Sequence, residues 1–122
     1  MVETENLIRT ALDTQAEGPE SIAALLNECS TLLGSTAELV AKRKAQLEVA
    51  EAVALHKLLQ EHGKKFPPTL LNKLLASQTA KELEQYTYAD RLRAGLAHKI
   101  DSLRSLLSYE KEQLTNAKFQ PQ

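Results

Sequence analysis

Aromatic residues, glycine, proline and cysteine are all scarce in this sequence of 122 residues. It has no tryptophan, and aromatic residues make up only 4% of the chain. A core with so few rings must be built from Leu, Ala, Val and Ile, which favours helices packed on helices. Four glycines and four prolines are too few for the many turns of an all-β fold. The sequence therefore predicts one small all-α domain.

The single cysteine and the lack of long apolar runs limit where the protein can function. Cys29 excludes an internal disulfide and is compatible with a reducing cytosol. No stretch approaches the roughly 18 apolar residues that a membrane span requires. The N-terminus lacks a basic region followed by an apolar run, so no signal peptide is expected. We expect a cytoplasmic protein, in the host cytoplasm if a phage encodes it, with no membrane partner.

Residues that could carry catalysis or bind a metal do not form a recognisable set. His56 and His62 are six residues apart and would lie on different faces of a helix. His98 is far from both in sequence, and Cys29 lies among apolar residues, as a small buried residue does. No Gly-rich phosphate loop is present. We therefore expect no enzymatic activity, catalytic residue, metal site, cofactor or small-molecule substrate.

Apolar residues recurring every three or four positions predict two short helices in the acidic N-terminal segment, residues 1–34. The first covers residues 4–16. The second begins at Pro19, which suits the first turn of a helix, and ends at Gly34. These helices precede the main predicted feature, a long antiparallel helical hairpin over residues 35–119.

The first arm of the hairpin has a clear predicted start. Ser35 and Glu38 fit a capping box, so a third helix is expected to begin at Ser35 and continue to His62. One apolar side consists of Leu39, Val40, Leu47, Ala50, Ala54 and Leu58. A second consists of Ala45, Val49, Ala52, Val53, Leu55 and Leu59. A helix that is apolar on two sides must be covered twice. The returning helix is one cover, and the N-terminal helices or a second subunit would be the other. We expect a homo-oligomer.

The chain returns through an interrupted corner near residues 63–79. A short helix is predicted over residues 68–76, and Thr79 and Glu82 fit a second capping box. From there a helix can continue to about Lys118, and residues 120–122 form a tail. The seam of this last helix, at coiled-coil spacing, consists of Ala89, Leu92, Leu96, Ile100, Leu103, Leu107 and Leu114. Glu110 occupies one seam position, which predicts a loosely packed or frayed far end.

The net charge of −1 conceals a division between an acidic and a basic part of the chain. Residues 1–41 hold one basic and seven acidic side chains, for a net charge of −6. The other 81 residues hold fourteen basic and nine acidic side chains, for +5. Such a division indicates an anionic partner for the basic part, or only chance scatter over a small number of charges.

Eight basic residues are candidates for contacts with nucleic acid. Three form a run early in the third helix, two lie at the hairpin tip, and three share one side of the last helix beside its seam. They are Lys42, Arg43, Lys44, Lys64, Lys65, Arg93, Arg104 and Lys111. The aromatic residues that would stack on unpaired bases are Phe66, Tyr86, Tyr88 and Tyr109. In the alternative interpretation, the basic side chains cover the seam and pair with Glu on a neighbouring helix.

The segment Leu47–Leu59 (LEVAEAVALHKLL), which ends near Gly63, resembles a helix of the phage recombination mediator family, the UvsY-like small helical accessory proteins. Those proteins have a similar Glu, Val-Ala-Leu, Leu and Gly pattern, then a linker and a second long helix. Residues 86–111 would be that second helix here. The resemblance covers about residues 39–112, and the linker and the rest of the chain do not match.

This resemblance implies a ring-like oligomer that binds single-stranded DNA. Such a protein helps to load a recombinase and to displace a single-strand-binding protein. By position, Lys42, Arg43, Lys44, Lys64 and Lys65 would then contact the DNA. The leading hypothesis is therefore an oligomeric accessory protein for recombination. The alternative is a helical protein–protein adaptor or structural module without nucleic-acid binding.

Overall fold

The computed structural model describes residues 1–62 and 66–119, with side chains as far as residue 117, and is helical almost throughout. Four helices follow one another: α1 (Val2–Asp13), α2 (Pro19–His62), α3 (Pro68–Gln78) and α4 (Ala80–Phe119). The described residues contain no strand. The predicted all-α class is therefore confirmed, and the pairing of α2 with α4 agrees with the predicted hairpin.

The chain divides into two compact units, and both long helices contribute to each. Unit 1 consists of residues 1–37 and 91–122, and unit 2 consists of residues 38–90. Unit 1 therefore combines α1 with the first part of α2 and the last part of α4. Unit 2 combines the rest of α2 with α3 and the start of α4.

Gly18 and Pro19 make the connection between α1 and α2, as the sequence predicts. Gly18 has a φ of 84°, in the left-handed region that glycine adopts without steric cost. Its carbonyl accepts a hydrogen bond from the backbone N–H of Ile22, at 3.0 Å. Pro19 is the first residue of α2, where its missing N–H has no helical partner to lose. The short first helix is confirmed, although it begins at Val2 and ends at Asp13.

The predicted break between Gly34 and Ser35 is wrong, because α2 passes through it without interruption. Thr36 is buried here, and its hydroxyl donates to the carbonyl of Leu33 at 2.6 Å. Glu38 does not close a capping box and instead pairs with Lys42, one turn further on, at 2.9 Å. The buried residues on either side of the predicted break keep helical spacing: Leu25, Cys29, Thr36 and Leu39. Burial of one continuous face outweighs the helix propensity lost at a single glycine.

We predict that Gly34→Ala raises the free energy of unfolding by about 0.5–1 kcal/mol. Gly34 lies inside α2, and a Cβ built on it meets nothing within 4 Å. Urea denaturation monitored by circular dichroism measures the change in the free energy of unfolding. Gly95→Ala is the comparison: its Cβ would lie 3.4 Å from Cδ1 of Leu12, an ordinary van der Waals contact, so it should gain at least as much. If Gly34→Ala is destabilising, α2 does not continue through this position.

Unit 1 has an aliphatic core built from three helical segments. The buried residues come from α1 (Ile8, Ala11), α2 (Ile22, Leu25, Cys29) and α4 (Leu92, Leu96, Ile100, Leu103). Burial raises the pKa of the Cys29 thiol, and the positive charge of Lys99 partly opposes that shift. The thiol therefore stays protonated at neutral pH, as expected for a structural cysteine.

Lys99 joins α4 to the end of α1. Its ammonium group donates to the carbonyl of Leu12 at 2.9 Å and to that of Thr14 at 2.7 Å. These carbonyls lie at the C-terminus of α1, where a helix leaves carbonyl groups without internal partners and the macrodipole favours a cation. One side chain thus satisfies two backbone acceptors that are more than 80 residues away in sequence.

Unit 2 contains the other core residues and the predicted short helix. Its buried apolar residues are Leu39, Leu47, Ala54, Leu58 and Ala89. Helix α3 begins at Pro68 as predicted and ends two residues later than expected, at Gln78. It has no fully buried residue, although Leu71, Leu74 and Leu75 are half-buried.

Helix α4 begins after Thr79 and ends at Phe119, close to its predicted bounds. The predicted capping box at its start is wrong, because the Thr79 hydroxyl donates to the Leu75 carbonyl at 2.9 Å. The seam is buried from Ala89 to Leu103, but Leu107 is half-buried and Leu114 is 60% exposed. The far end of the seam is therefore loosely packed, as Glu110 at one of its positions predicts.

Candidate interaction surfaces

The predicted basic run at the start of the hairpin does not form one surface. Lys42 and Lys44 are exposed, but two residues of helix separate them by about 200° around the axis of α2. Arg43, between them, is only 7% exposed, and its Nη1 donates to Oε1 of Gln46 at 3.3 Å. Lys42 is engaged by Glu38, and its hydrogen bond lowers the pKa of that carboxyl group. Only the two flanking lysines are positioned to reach a ligand.

The predicted hairpin tip is described only in part. Lys64 and Lys65 lie outside the described residues. Phe66 is half-buried, and its ring meets that of His62 edge to face, with the centroids 4.7 Å apart and the planes inclined at 70°. This contact occupies part of the ring that was a candidate for stacking on a base.

The basic residues of α4 form the more coherent surface. Arg93, Arg104 and Lys111 are all exposed and all belong to unit 1. Their spacings of 11 and 7 residues place them within about 20° of one another and spread them over about 27 Å of helix. We call them the basic stripe. The structure thus presents three of the predicted candidates on one face.

The aromatic candidates differ in exposure. Tyr109 and Tyr88 are exposed, whereas Tyr86 is half-buried. Two residues of helix place Tyr86 and Tyr88 about 200° apart around α4, so they do not share one face. Tyr109 lies in the same unit as the basic stripe.

The second apolar side predicted for the hairpin's first arm is open to solvent. Val49 and Val53 are each 63% exposed, and Leu55 and Leu59 are also exposed. The opposite side of the same helix is covered, with Leu39, Leu47, Ala54 and Leu58 buried. We call the open side the outer face of α2, formed by Ala45, Val49, Ala52, Val53, Leu55 and Leu59. Four large aliphatic side chains within 11 residues make it an unusual surface for a small protein.

A groove of about 800 Å³ lies beside this outer face, within unit 2. Helix α2 contributes all of its apolar residues together with Arg43, Gln46 and Lys57, and the end of α3 and the start of α4 contribute a polar wall. The lining residues that matter below are Val49, Ala50, Val53, Lys57, Lys81 and Glu82. Its volume is in the range of pockets that hold ligands or anchoring side chains.

Glu82 gives the polar wall an unusual feature. Its Oε2 atom is buried and has no hydrogen-bond partner within the part of the chain that the structure describes. A buried carboxylate oxygen without a donor costs free energy. Lys57 and Lys81 are exposed on the same groove, and Arg43 and three glutamines line it too, so an apolar floor is combined with a polar border of net positive charge.

The groove is not predicted by the sequence, although part of its signal is readable there. The second apolar side of the helix is recognisable, but Lys57 and Lys81 belong to no motif, and Glu82 is predicted only as part of a capping box. These three residues come together only when α4 lies beside α2. No local motif joins positions 57 and 81.

The histidines remain apart from any metal-binding arrangement. Within residues 1–62 and 66–117, no group of three or more His, Cys, Asp or Glu side chains could hold a metal ion. His56, His62 and His98 are all exposed.

In the same described part of the chain, no helix has the length and hydropathy needed to cross a membrane.

Comparisons with known families, curated proteins and solved structures give no match to this chain. The resemblance to phage recombination mediators therefore stays a prediction. Function has to be argued from the surfaces described above.

Proposed function

We propose that this chain is a helical protein–protein interaction module whose binding surface is the outer face of α2 together with its groove. The observation that carries the proposal is the exposure of Val49 and Val53 beside an apolar cavity. Burying such side chains contributes about 25 cal/mol for each Å² of apolar area removed from water. A partner that covers this face therefore gains free energy that the isolated chain does not.

The charges around the groove favour an adaptor that selects its partner over a surface that binds any apolar protein. Lys57 and Lys81 border the apolar floor, and charges at the rim of an interface select and orient the partner. An apolar centre with a polar rim is the usual organisation of a protein interface.

Site-specific photo-crosslinking tests this proposal. A photoreactive phenylalanine analogue at position 53, in the full chain expressed in its native cells, should form covalent adducts with protein. The same analogue at the exposed position 105 of α4 is the control. Adducts at position 53 should be several-fold more abundant and should disappear when Val49→Glu is introduced. Equal adduct yields at the two positions would contradict the proposal.

A second candidate function, single-stranded DNA binding as an oligomeric recombination mediator, is favoured by the basic stripe. Arg93, Arg104 and Lys111 are exposed along one helix face, at spacings that could follow a phosphate backbone. Tyr109, exposed in the same unit, is available to stack on a base. Loading a recombinase or displacing a single-strand-binding protein would follow from such binding. That role rests on the resemblance alone.

Fluorescence anisotropy with a labelled single-stranded oligonucleotide tests the DNA-binding candidate. We expect binding at about 50 mM salt and a fall in affinity as salt increases. Arg93→Gln should lower the slope of log K against log salt by about 0.7, the value for one lost phosphate contact. Arg91→Gln removes the same charge about 200° away on the same helix and should leave the slope unchanged. Absence of binding at about 50 mM salt would exclude this function.

A further inference from the structure

The exposed side of α1 in unit 1 carries a negative charge, whereas the groove of unit 2 is bordered by positive charges. Leu7 is 57% exposed there, and Glu3, Asn6 and Thr10 are exposed around it. We call these four residues the outer face of α1. They line a shallow depression of about 360 Å³. The face therefore presents one aliphatic side chain beside a carboxylate and an amide.

The two surfaces complement each other in two respects. Leu7 is an aliphatic knob of the kind that the floor around Val49 and Val53 can bury. The carboxylate of Glu3 is opposite in charge to Lys57 and Lys81.

The charge of α1 as a whole acts in the same direction. The helix carries Glu3, Glu5 and Asp13 against Arg9 alone.

We infer that the outer face of α1 in one copy of the chain docks into the groove of unit 2 in a second copy. The inference rests on the proposed interaction function, because it names the partner of that same groove. The contact joins two different surfaces, so each copy keeps one free α1 face and one free groove. Association of this kind is head to tail and can continue beyond a dimer.

Charge favours this arrangement over a two-fold dimer made by two grooves. A two-fold pairing would bring two grooves of net positive charge to one interface, because Arg43, Lys57 and Lys81 outnumber Glu82 in the lining of each. Like charges facing one another across an interface oppose association. The head-to-tail contact brings opposite charges together instead. With one aliphatic anchor it is small, so association should be weak and sensitive to salt.

Sedimentation velocity of the full chain tests the inference at about 10 µM to 1 mM, the range expected for a small interface. The weight-average sedimentation coefficient should rise with concentration. Leu7→Glu and Val53→Glu should each weaken association about tenfold or more. Both positions are exposed, so circular dichroism should show native helix content. Leu114→Glu, at another exposed leucine, is the matched control and should associate like the unmodified chain.

Mixing the two defective variants gives the decisive measurement. The Val53→Glu chain keeps an intact α1 face, and the Leu7→Glu chain keeps an intact groove. An equimolar mixture should therefore form heterodimers that do not grow further. A two-fold dimer through the groove predicts a different result: Leu7→Glu still associates, and mixing restores nothing.

Charge exchange provides a second and independent measurement. Glu3→Lys should weaken association, and combining it with Lys57→Glu and Lys81→Glu in the same chain should restore it. The inference is wrong if the unmodified chain stays monomeric to about 1 mM, if Leu7→Glu associates normally, or if the mixture stays monomeric. Crosslinking of position 53 to a different protein, with a monomeric chain, would uphold the interaction function and reject this partner.

Discussion

Replacing Leu96 by Ala is expected to lower the free energy of unfolding by about 2–5 kcal/mol, the largest single effect among the substitutions considered. Leu96 is fully buried in the core of unit 1, among residues from α1, α2 and α4. The substitution removes apolar contacts and leaves a cavity that rigid helices fill only in part. In a chain of this size, that change is a large fraction of the total stability.

Urea denaturation monitored by circular dichroism measures the effect of Leu96→Ala. Leu114→Ala on the same helix is the matched control, because it removes the same atoms from a side chain that is 60% exposed. The control should change stability by less than about 0.5 kcal/mol. Similar losses for the two variants would mean that Leu114 is covered in solution and that the seam stays packed to the end of α4.

Lys99→Met is expected to lower the free energy of unfolding by about 1.5–3 kcal/mol, the range for hydrogen bonds that involve a charged group. Methionine keeps most of the aliphatic stem but cannot donate to the carbonyls of Leu12 and Thr14. Each of the two carbonyls loses its bond from the Lys99 ammonium, and the C-terminus of α1 loses its cation. The change should act mainly on α1, because α4 keeps its own helical hydrogen bonds.

Amide hydrogen exchange distinguishes this local effect from a general loss of stability. In Lys99→Met, amides of α1 should exchange faster than in the unmodified chain. Exchange of the α2 amides at Leu25 and Cys29 should increase less. Lys111→Met, which removes an exposed ammonium from the same helix, should leave exchange in α1 unchanged. Equal stability and equal exchange in the Lys99 and Lys111 variants would show that the two hydrogen bonds are not formed in solution.

The candidate surfaces could be predicted from the sequence only in part. The spacing of Arg93, Arg104 and Lys111 depends on helix geometry alone, and their shared exposed face follows from it. Arg43 belongs to an equally basic run, yet it is buried. Its position on the wheel lies within the buried face of α2, together with Leu39 and Leu47. A charge in a run is available to a ligand only when packing leaves it outside.

The local signals that were misread share one physical cause. A Ser-Thr-Ala-Glu capping box and a preceding glycine predict a helix start at Ser35, and each is worth about 1 kcal/mol. Burial of Cys29, Thr36 and Leu39 on one continuous face is worth more, so α2 passes through. Thr79 is a partial exception. Helix α4 does start there as predicted, but the Thr79 hydroxyl donates to the Leu75 carbonyl, one turn earlier in the chain.

The sequence by itself determined the all-α class, the connection at Gly18 and Pro19, the short helix from Pro68 and the second apolar side of the hairpin's first arm. These features depend on residue periodicity and on the backbone preferences of glycine and proline, which act within a few residues. Tertiary structure alone decided the continuity of α2, the burial of Arg43, the bonds from Lys99 to α1 and the groove with Lys57, Lys81 and Glu82. Each of these depends on which helices lie side by side. Contacts between residues distant in the chain supply the free energy that overrides local preference.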